Sequence, residues 1–425
     1  MPPQSGPLPA CAGLLLLLAL PARAETLRLG EAVLEPVAIA ALAGFPEDDL
    51  GAALAAFRAS CAQPPRPVPA EAAPGAPGQD LAAACAAVPD DPAAAGRFFS
   101  AHFDAYRVTR PTREAPPERR AGFLTGYFEP ELQGALAPSP DFPVPALARP
   151  GDLVSFEPGQ TPPGLDPSLR AARRTEGGLV PYPDRAAIED GALGSQAKPV
   201  LWLRDAVDLL VLQVQGSGRV RLPDGRVVRL AYDGRNGQPY TSVARLIVAG
   251  GHLPLEGLTL ARWTGWLRAN PRIARELIRR NASYVFFRLE EPQAGAPGPL
   301  GGGGVPLTPG RSLAVDATLW RYGLPFWLEG RLPTPDGGAV PLARLVIAQD
   351  TGSAIVGPAR GDLYLGTGAE AGVVAGLLRD AARFTVLLPR SATGASAAPQ
   401  PDPARCGFNV RCEYENYDCG LFGFV

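Results

Sequence analysis

The sequence predicts a mainly β protein with helices, an α+β chain whose strands close into a barrel and whose middle carries a smaller β domain. Three observations lead there. Short apolar runs separated by Gly-rich turns recur late in the chain, at residues 312–316, 325–328, 342–349, 354–356, 362–365 and 384–388. Many short strands with such turns favour a barrel over an open sheet. Between residues 122 and 240 the texture is strands and turns, at 123–128, 200–204, 209–215, 219–222 and 227–232, with Asp224-Gly225 as a hairpin signal. Helical spacing flanks that stretch, at 48–62 and 93–108 before it and at 241–249, 258–269 and 272–280 after it, with a further helix near 370–379.

Each element has a local reason. In 93–108 the residues Phe98, Phe99, His102, Phe103 and Tyr106 fall at helical spacing and read as a core stripe, with His102 a buried, hydrogen-bonded histidine. Asn270 and Pro271 supply an N-cap and a first-turn proline for 272–280. A strand follows at 284–289. Segments 64–77, 111–117 and 292–304 read as exposed loops, and 391–404 as disordered.

At 425 residues, with 46% hydrophobic and 19% charged residues, the chain has the composition of an ordinary globular protein of two or three domains. Its net charge is −2, Lys198 is its single lysine, and the pairs Arg119-Arg120, Arg173-Arg174 and Arg279-Arg280 are scattered, so nucleic acid is excluded as a partner. Residues 1–24 read as an export signal: an apolar run from Leu14 to Leu20, too short to span a bilayer, ends in Ala22-Arg23-Ala24 before Glu25. Met1 to Cys11 lacks the usual basic residue. Cys61 and Cys85 flank a Pro/Ala-rich loop and can close it as a disulfide, while Cys406, Cys412 and Cys419 sit in the tail at loose spacings that make a poor zinc site. No phosphate loop or metal-ligand cluster is found, so no cofactor is expected.

The chemistry-bearing stretch runs from Leu345 through Asp350-Thr351-Gly352-Ser353 to Arg360-Gly361-Asp362-Leu363-Tyr364. It sets one carboxylate at the end of an apolar strand and another at the start of the next. Asp350 before Thr-Gly is also a common turn device. Asp362 lies among apolar neighbours, where desolvation raises a carboxyl pKa toward that of a general acid.

These residues, with Thr125-Gly126-Tyr127-Phe128, Val214-Gln215-Gly216-Ser217-Gly218, the stretch from Tyr232 to Tyr240 and the stretch from Asn281 to Phe287, resemble the membrane-bound lytic murein transglycosylase A family with its C-terminal 3D domain. The resemblance covers roughly residues 122–388. It implies a double-psi β-barrel from 25–121 and 241–390, an inserted β domain at 122–240, a Cys-containing tail at 391–425, and a glycan groove between the two domains. The three aspartates are then Asp316, Asp350 and Asp362, with Asp362 the catalytic acid/base and Asp316 structural. Asp350, Gln215, Gly216, Ser217, Tyr127, Tyr240 and Asn236 are the candidate sugar-binding residues; outside the resemblance, Asn236-Gly237 is a turn signal and the tyrosines are core. The implied reaction is non-hydrolytic cleavage of the β-1,4 bond from N-acetylmuramic acid to N-acetylglucosamine in peptidoglycan, leaving a 1,6-anhydro end. An exported, periplasmic monomer is expected, acting on peptidoglycan strands. Glu25 stands where many relatives carry a lipid-bearing cysteine, which leaves outer-membrane association open. Two rivals remain: a peptidoglycan-binding protein that does not cut, and an aspartic-type protease built on Asp350-Thr351-Gly352, which needs a second such aspartate.

Overall fold

The computed structural model describes residues 25–29, 32–64, 80–109, 122–156, 160–291 and 298–390. The expected export signal, the break at 111–117 and the tail with Cys406, Cys412 and Cys419 lie outside them. Strands β1 (Leu27–Leu29) and β2 (Ala32–Val37) lead to helices α1 (Leu50–Cys61), α2 (Ala82–Ala86) and α3 (Ala95–His102), then to β3 (Phe103–Thr109) and β4 (Gly122–Glu129). A middle stretch follows with β5 (Glu131–Ala135), β6 (Val144–Leu147), β7 (Leu153–Ser155), β8 (Ala171–Thr175), β9 (Gly178–Pro181), α4 (Arg185–Glu189), β10 (Pro199–Leu203), α5 (Ala206–Gln215), β11 (Gly218–Arg221) and β12 (Val227–Arg235). Helices α6 (Val243–Ala249), α7 (Leu260–Ala269) and α8 (Pro271–Arg279) precede β13 (Val285–Glu290). The chain ends in β14 (Ser312–Val315), β15 (Pro325–Pro333), β16 (Ala339–Asp350), β17 (Arg360–Thr367), α9 (Ala369–Leu377) and β18 (Arg379–Pro389).

Six strands close on themselves in the order β4, β17, β14, β16, β15, β18 and back to β4. Two of the pairs, β14 with β16 and β17 with β4, are parallel. Closure removes the sheet edges, and β18 is long enough to do it: residues 379–382 pair with β4 and residues 385–389 with β3. Leu313 pairs with Leu363, Gly361 lies between Val315 and Leu124, and a Cβ on Gly361 would meet Leu313 and Phe384 of the non-adjacent β18, so these residues face the barrel interior and their strand neighbours Thr125, Ala314 and Asp362 project from the opposite, outer face.

Two strands fall on the other side of the boundaries expected from the sequence. Strand β4, expected to open the inserted domain, is a barrel strand, and β13, expected with the barrel, ends a separate six-stranded sheet in the order β13, β12, β11, β5, β10, β6. Residues 209–215, read as a strand, are the end of α5. Asp205 caps that helix by accepting the Asp208 N–H at 2.8 Å, and Gly216 at φ +84° terminates it. The helix is buried on both sides, Leu209 and Leu212 against the six-stranded sheet and Val207, Leu210 and Val211 against α6, α7 and α8, so its apolar residues carry no 3.6-residue period. Residues 93–108 likewise divide. The helix ends at His102, and Phe103–Thr109 becomes β3 because it pairs with β2 and β18. His102 is half-buried and stacks on Phe98 with ring centroids 5.0 Å apart. Asn270 precedes α8 but does not cap it; its amide donates to Trp266 O.

The helical layer of α1 to α3 is fixed to the barrel by Asp48, whose carboxylate accepts two N–H groups of Arg311, at 2.7 and 2.8 Å, and the Leu345 N–H at 2.9 Å. Cys61 and Cys85 form a disulfide across 24 positions. Opening a loop of that length lowers unfolding free energy by about 3 kcal/mol. Urea denaturation of Cys61→Ser/Cys85→Ser is expected to give that loss, with no further change on adding reductant.

Candidate active site

Strand β14 lies between β16 and β17, and Ala314 is the register partner of both Asp350 and Asp362. Paired residues project to one face of a sheet, so both carboxylates leave the outer face of the barrel two strand spacings apart, about 9–10 Å between α-carbons. On the far side of β17, Thr125 of β4 is opposite Asp362, and its hydroxyl donates to Asp362 Oδ1 at 2.7 Å. One row along, Tyr127 is opposite Tyr364 with ring centroids 5.3 Å apart.

The two acids have different surroundings. Asp362 is 3% exposed, and burial pushes its pKa up to about 6, partly offset by the Arg360 charge and the Thr125 hydrogen bond. Asp350 has donors on both oxygens: Tyr127 Oη–H at 2.7 Å on Oδ2 and the Gly302 N–H at 2.8 Å on Oδ1. Burial still raises its pKa, against those two donors. Burial and the neighbouring Asp350 push the Tyr127 phenol well above its ordinary value, so it remains a donor.

The glycine run expected as a flexible surface loop does more than connect. The Gly303 N–H donates to Gln349 O at 2.8 Å, beside the Gly302 bond to Asp350. A Cβ on Gly301 would come within 2.6 Å, and one on Gly303 within 2.9 Å, of the Gln349 carbonyl oxygen. The close approach of this backbone to the end of β16 therefore requires glycine.

A third buried acid, Glu129, ends β4 on the same face as Thr125 and Tyr127. It is fully buried and accepts from Arg229 Nε at 2.6 Å, Arg219 Nε at 3.1 Å and Thr367 Oγ1 at 2.9 Å. Arg219 and Arg229 belong to β11 and β12, so this cluster ties the barrel to the six-stranded sheet. The sequence reading missed it, since the acid and its arginines lie 90 and 100 positions apart.

The other candidates distribute unevenly. Gln215 Oε1 accepts the Phe128 N–H at 3.1 Å, which holds the end of α5 against β4. Gly216 is the left-handed cap of α5, and Ser217 beside it is buried. Tyr240 and Gln215 line a small apolar cavity of about 20 Å³ with Leu210, Val214 and Trp263, apart from the Asp350–Asp362 row. Asn236 departs from its expected sugar contact. It is fully buried, its amide donates to Pro183 O and Ala282 O, and its Oδ1 accepts the Tyr284 N–H, so the side chain is spent on joining three segments. Asp316 accepts from Thr318 N and Oγ1 and from Gly357 N, ordering the turn after β14 and the loop before β17.

Residues 123–288 match the MltA specific insert domain, and residues 311–388 match the 3D domain. The membrane-bound lytic murein transglycosylase structure from Agrobacterium tumefaciens is 33% identical, aligns over 84% of this chain and 97% of its own, and superposes with a TM-score of 0.71. The chain belongs to the MltA family. MltA from Neisseria gonorrhoeae, 28% identical over 89% of this chain and 95% of its own, gives a TM-score of 0.66. Membrane-bound lytic murein transglycosylase A of Vibrio cholerae is 36% identical over 226 residues, which is 52% of this chain and 60% of that protein's length. The MltA match supports the closed barrel with a second β unit, and Asp350, Asp362 and Asp316 all fall within its 3D segment.

Proposed function

We propose that the protein is a peptidoglycan lytic transglycosylase that cleaves the N-acetylmuramyl-β-1,4-N-acetylglucosamine bond without water and leaves 1,6-anhydro-muramyl ends. The observation that carries this reading is Asp362, a buried acid on the outer face of the barrel, pinned through Oδ1 by Thr125, with its pKa pushed up to about 6. Protonated Asp362 donates to the glycosidic oxygen as the bond to C1 breaks. The carboxylate so formed takes the proton of the muramyl C6 hydroxyl as that oxygen closes on C1. One residue serves both transfers because the nucleophile is part of the sugar, already held at high effective concentration.

Asp350 suits a different part. The phenol and the backbone N–H it accepts work against the burial that raises its pKa, and as a carboxylate in the same register row it can stabilise positive charge developing at C1. The protease rival fits less well. The acid paired across Ala314 from Asp350-Thr351-Gly352 is Asp362, which is followed by Leu363-Tyr364, and Thr351 Oγ1 is committed to Val315 O at 2.8 Å. Export to the envelope and action there as a monomer on glycan strands complete the reading. Among the described residues no helix is long and apolar enough to cross a membrane, and several relatives are named membrane-bound, which keeps outer-membrane association within the proposal.

Mass spectrometry of purified sacculi digested by the mature chain is the test. Anhydro-muramyl products are expected; reducing-end products would mean a hydrolase, and binding without release a non-cutting module. The pH profile follows from the acid. Catalysis needs protonated Asp362, so kcat/KM is expected to be flat below about pH 6 and to fall toward tenfold per unit above it, measured by muropeptide release between pH 4 and 8.

A further inference from the structure

Arg360 precedes Asp362 by two positions on β17, so the two side chains leave one face of the strand in adjacent rows. Its environment is unusual for a cation. The guanidinium carbon lies 5.2 Å from the Phe123 ring centroid, Nη1 donates to the Gly361 carbonyl, and Nη2 is buried without a hydrogen-bond partner. Among the described residues Arg360 makes no ion pair within contact distance, and burial disfavours its charged form. A buried N–H left unmatched calls for an explanation.

We propose that Arg360 is a positioning residue of the reaction, placed to stabilise the Asp362 carboxylate that exists only once the acid has given up its proton. This rests on the reading of Asp362 as the single acid/base. While Asp362 is protonated, Arg360 is a half-buried cation that faces the Phe123 ring and no counter-charge. Once the proton passes to the glycosidic oxygen, the new carboxylate supplies the missing counter-charge. The interaction therefore grows between ground state and transition state, which is the condition for it to raise kcat without lowering KM. Arg360 itself transfers no proton; the proton leaves Asp362 for the leaving-group oxygen and returns from the C6 hydroxyl.

The other groups facing Asp362 cannot take this part. Thr125 and Tyr127 on β4 are neutral donors, Asp350 on β16 is a like charge, and β14 presents Ala314. Arg379 of β18 is the register partner of Thr125, one strand further away, and Arg360 is the cation whose field acts on Asp362.

The test is kcat and KM against pH on peptidoglycan for wild type, Arg360→Met and Arg360→Lys, with thermal unfolding to establish that each variant folds. Arg360→Met is expected to lose roughly tenfold in kcat with KM unchanged, and its alkaline limb to move up by about 1 pH unit, since a nearby opposite charge lowers a carboxyl pKa. Arg360→Lys is expected to restore most of the limb position. A tenfold loss with an unmoved limb would reduce Arg360 to packing on Phe123, and an effect confined to KM would make it a substrate contact; either overturns the proposal. Reducing-end products from wild type would instead overturn the reading of Asp362 itself.

Discussion

Asp362→Asn is expected to abolish activity and, at pH 7, to make the protein more stable. The first effect follows from one carboxyl acting as acid and then as base: general acid–base catalysis contributes about 10²–10⁴-fold at a single step, so a loss of at least about 10³-fold is expected. The second follows from the sign of the pKa shift. In the unfolded chain the group titrates near 3.8, and in the folded chain near 6. Well below pH 3.8 both states hold the proton and nothing is lost, and at pH 4 the loss is still small. Between the two pKa values the folded state must retain a proton that the unfolded chain releases, so folding weakens as pH rises, levelling off above pH 6 at about 2–3 kcal/mol. Asparagine keeps an oxygen for the Thr125 hydroxyl and removes the titration. Urea unfolding at pH 4 and pH 7 measures the difference: variant and wild type should nearly coincide at pH 4 and separate in favour of the variant at pH 7. A variant that is inactive but less stable at both pH values would mean that Asp362 holds the barrel together and that its kinetic effect is indirect.

The two acids were legible in the sequence because the strand-turn-strand spacing around them is local. Their relation was not. Asp350 and Asp362 meet across Ala314 because β14 pairs in parallel with β16 and antiparallel with β17, and nothing local in the sequence announces a parallel pairing. Thr125, more than two hundred positions before Asp362, was visible only inside a matched segment. The fold was legible to a similar depth. Short runs and turns gave a barrel, but α5 passed for a strand because a helix buried on both sides has no polar face to mark its period. The signals that outweighed this, Asp205 at the N-cap and Gly216 at the end, were present in the sequence. Asn236 misled in the opposite direction. In its Gly-rich segment Asn236 suggested a sugar contact or a turn, whereas its amide is buried against two carbonyls from distant segments.

Glu129→Ala is expected to be among the most destabilising single changes in the protein, with a loss of about 3–5 kcal/mol. Glu129 is fully buried between two arginines, Arg229 with its side chain 5% exposed and Arg219 with 29%. Removing the acid leaves Arg229 charged and without its counter-ion in the interior, while Arg219 can turn toward water and recover part of its solvation. Arg229 therefore dominates the cost. Glu129→Gln keeps an acceptor for Thr367 and one arginine but loses the charge, and should fall between wild type and alanine. The double variant Glu129→Leu/Arg229→Met removes both charges and should recover most of the loss, because a buried pair exchanged for apolar groups of similar size is often neutral or stabilising. Midpoints and m-values of urea unfolding separate these cases, and failure of the double variant to recover would mean that the acid matters for shape and not for charge. The position of the cluster gives the experiment a functional reading as well. Glu129 closes the row that begins with Thr125 and Tyr127 on β4, and its partners come from the six-stranded sheet, so the ion cluster fixes how that sheet meets the acid-bearing face. In the recovered double variant, stability without activity would assign the buried charges to the alignment of the two β units, whereas full activity would leave them a purely structural tie.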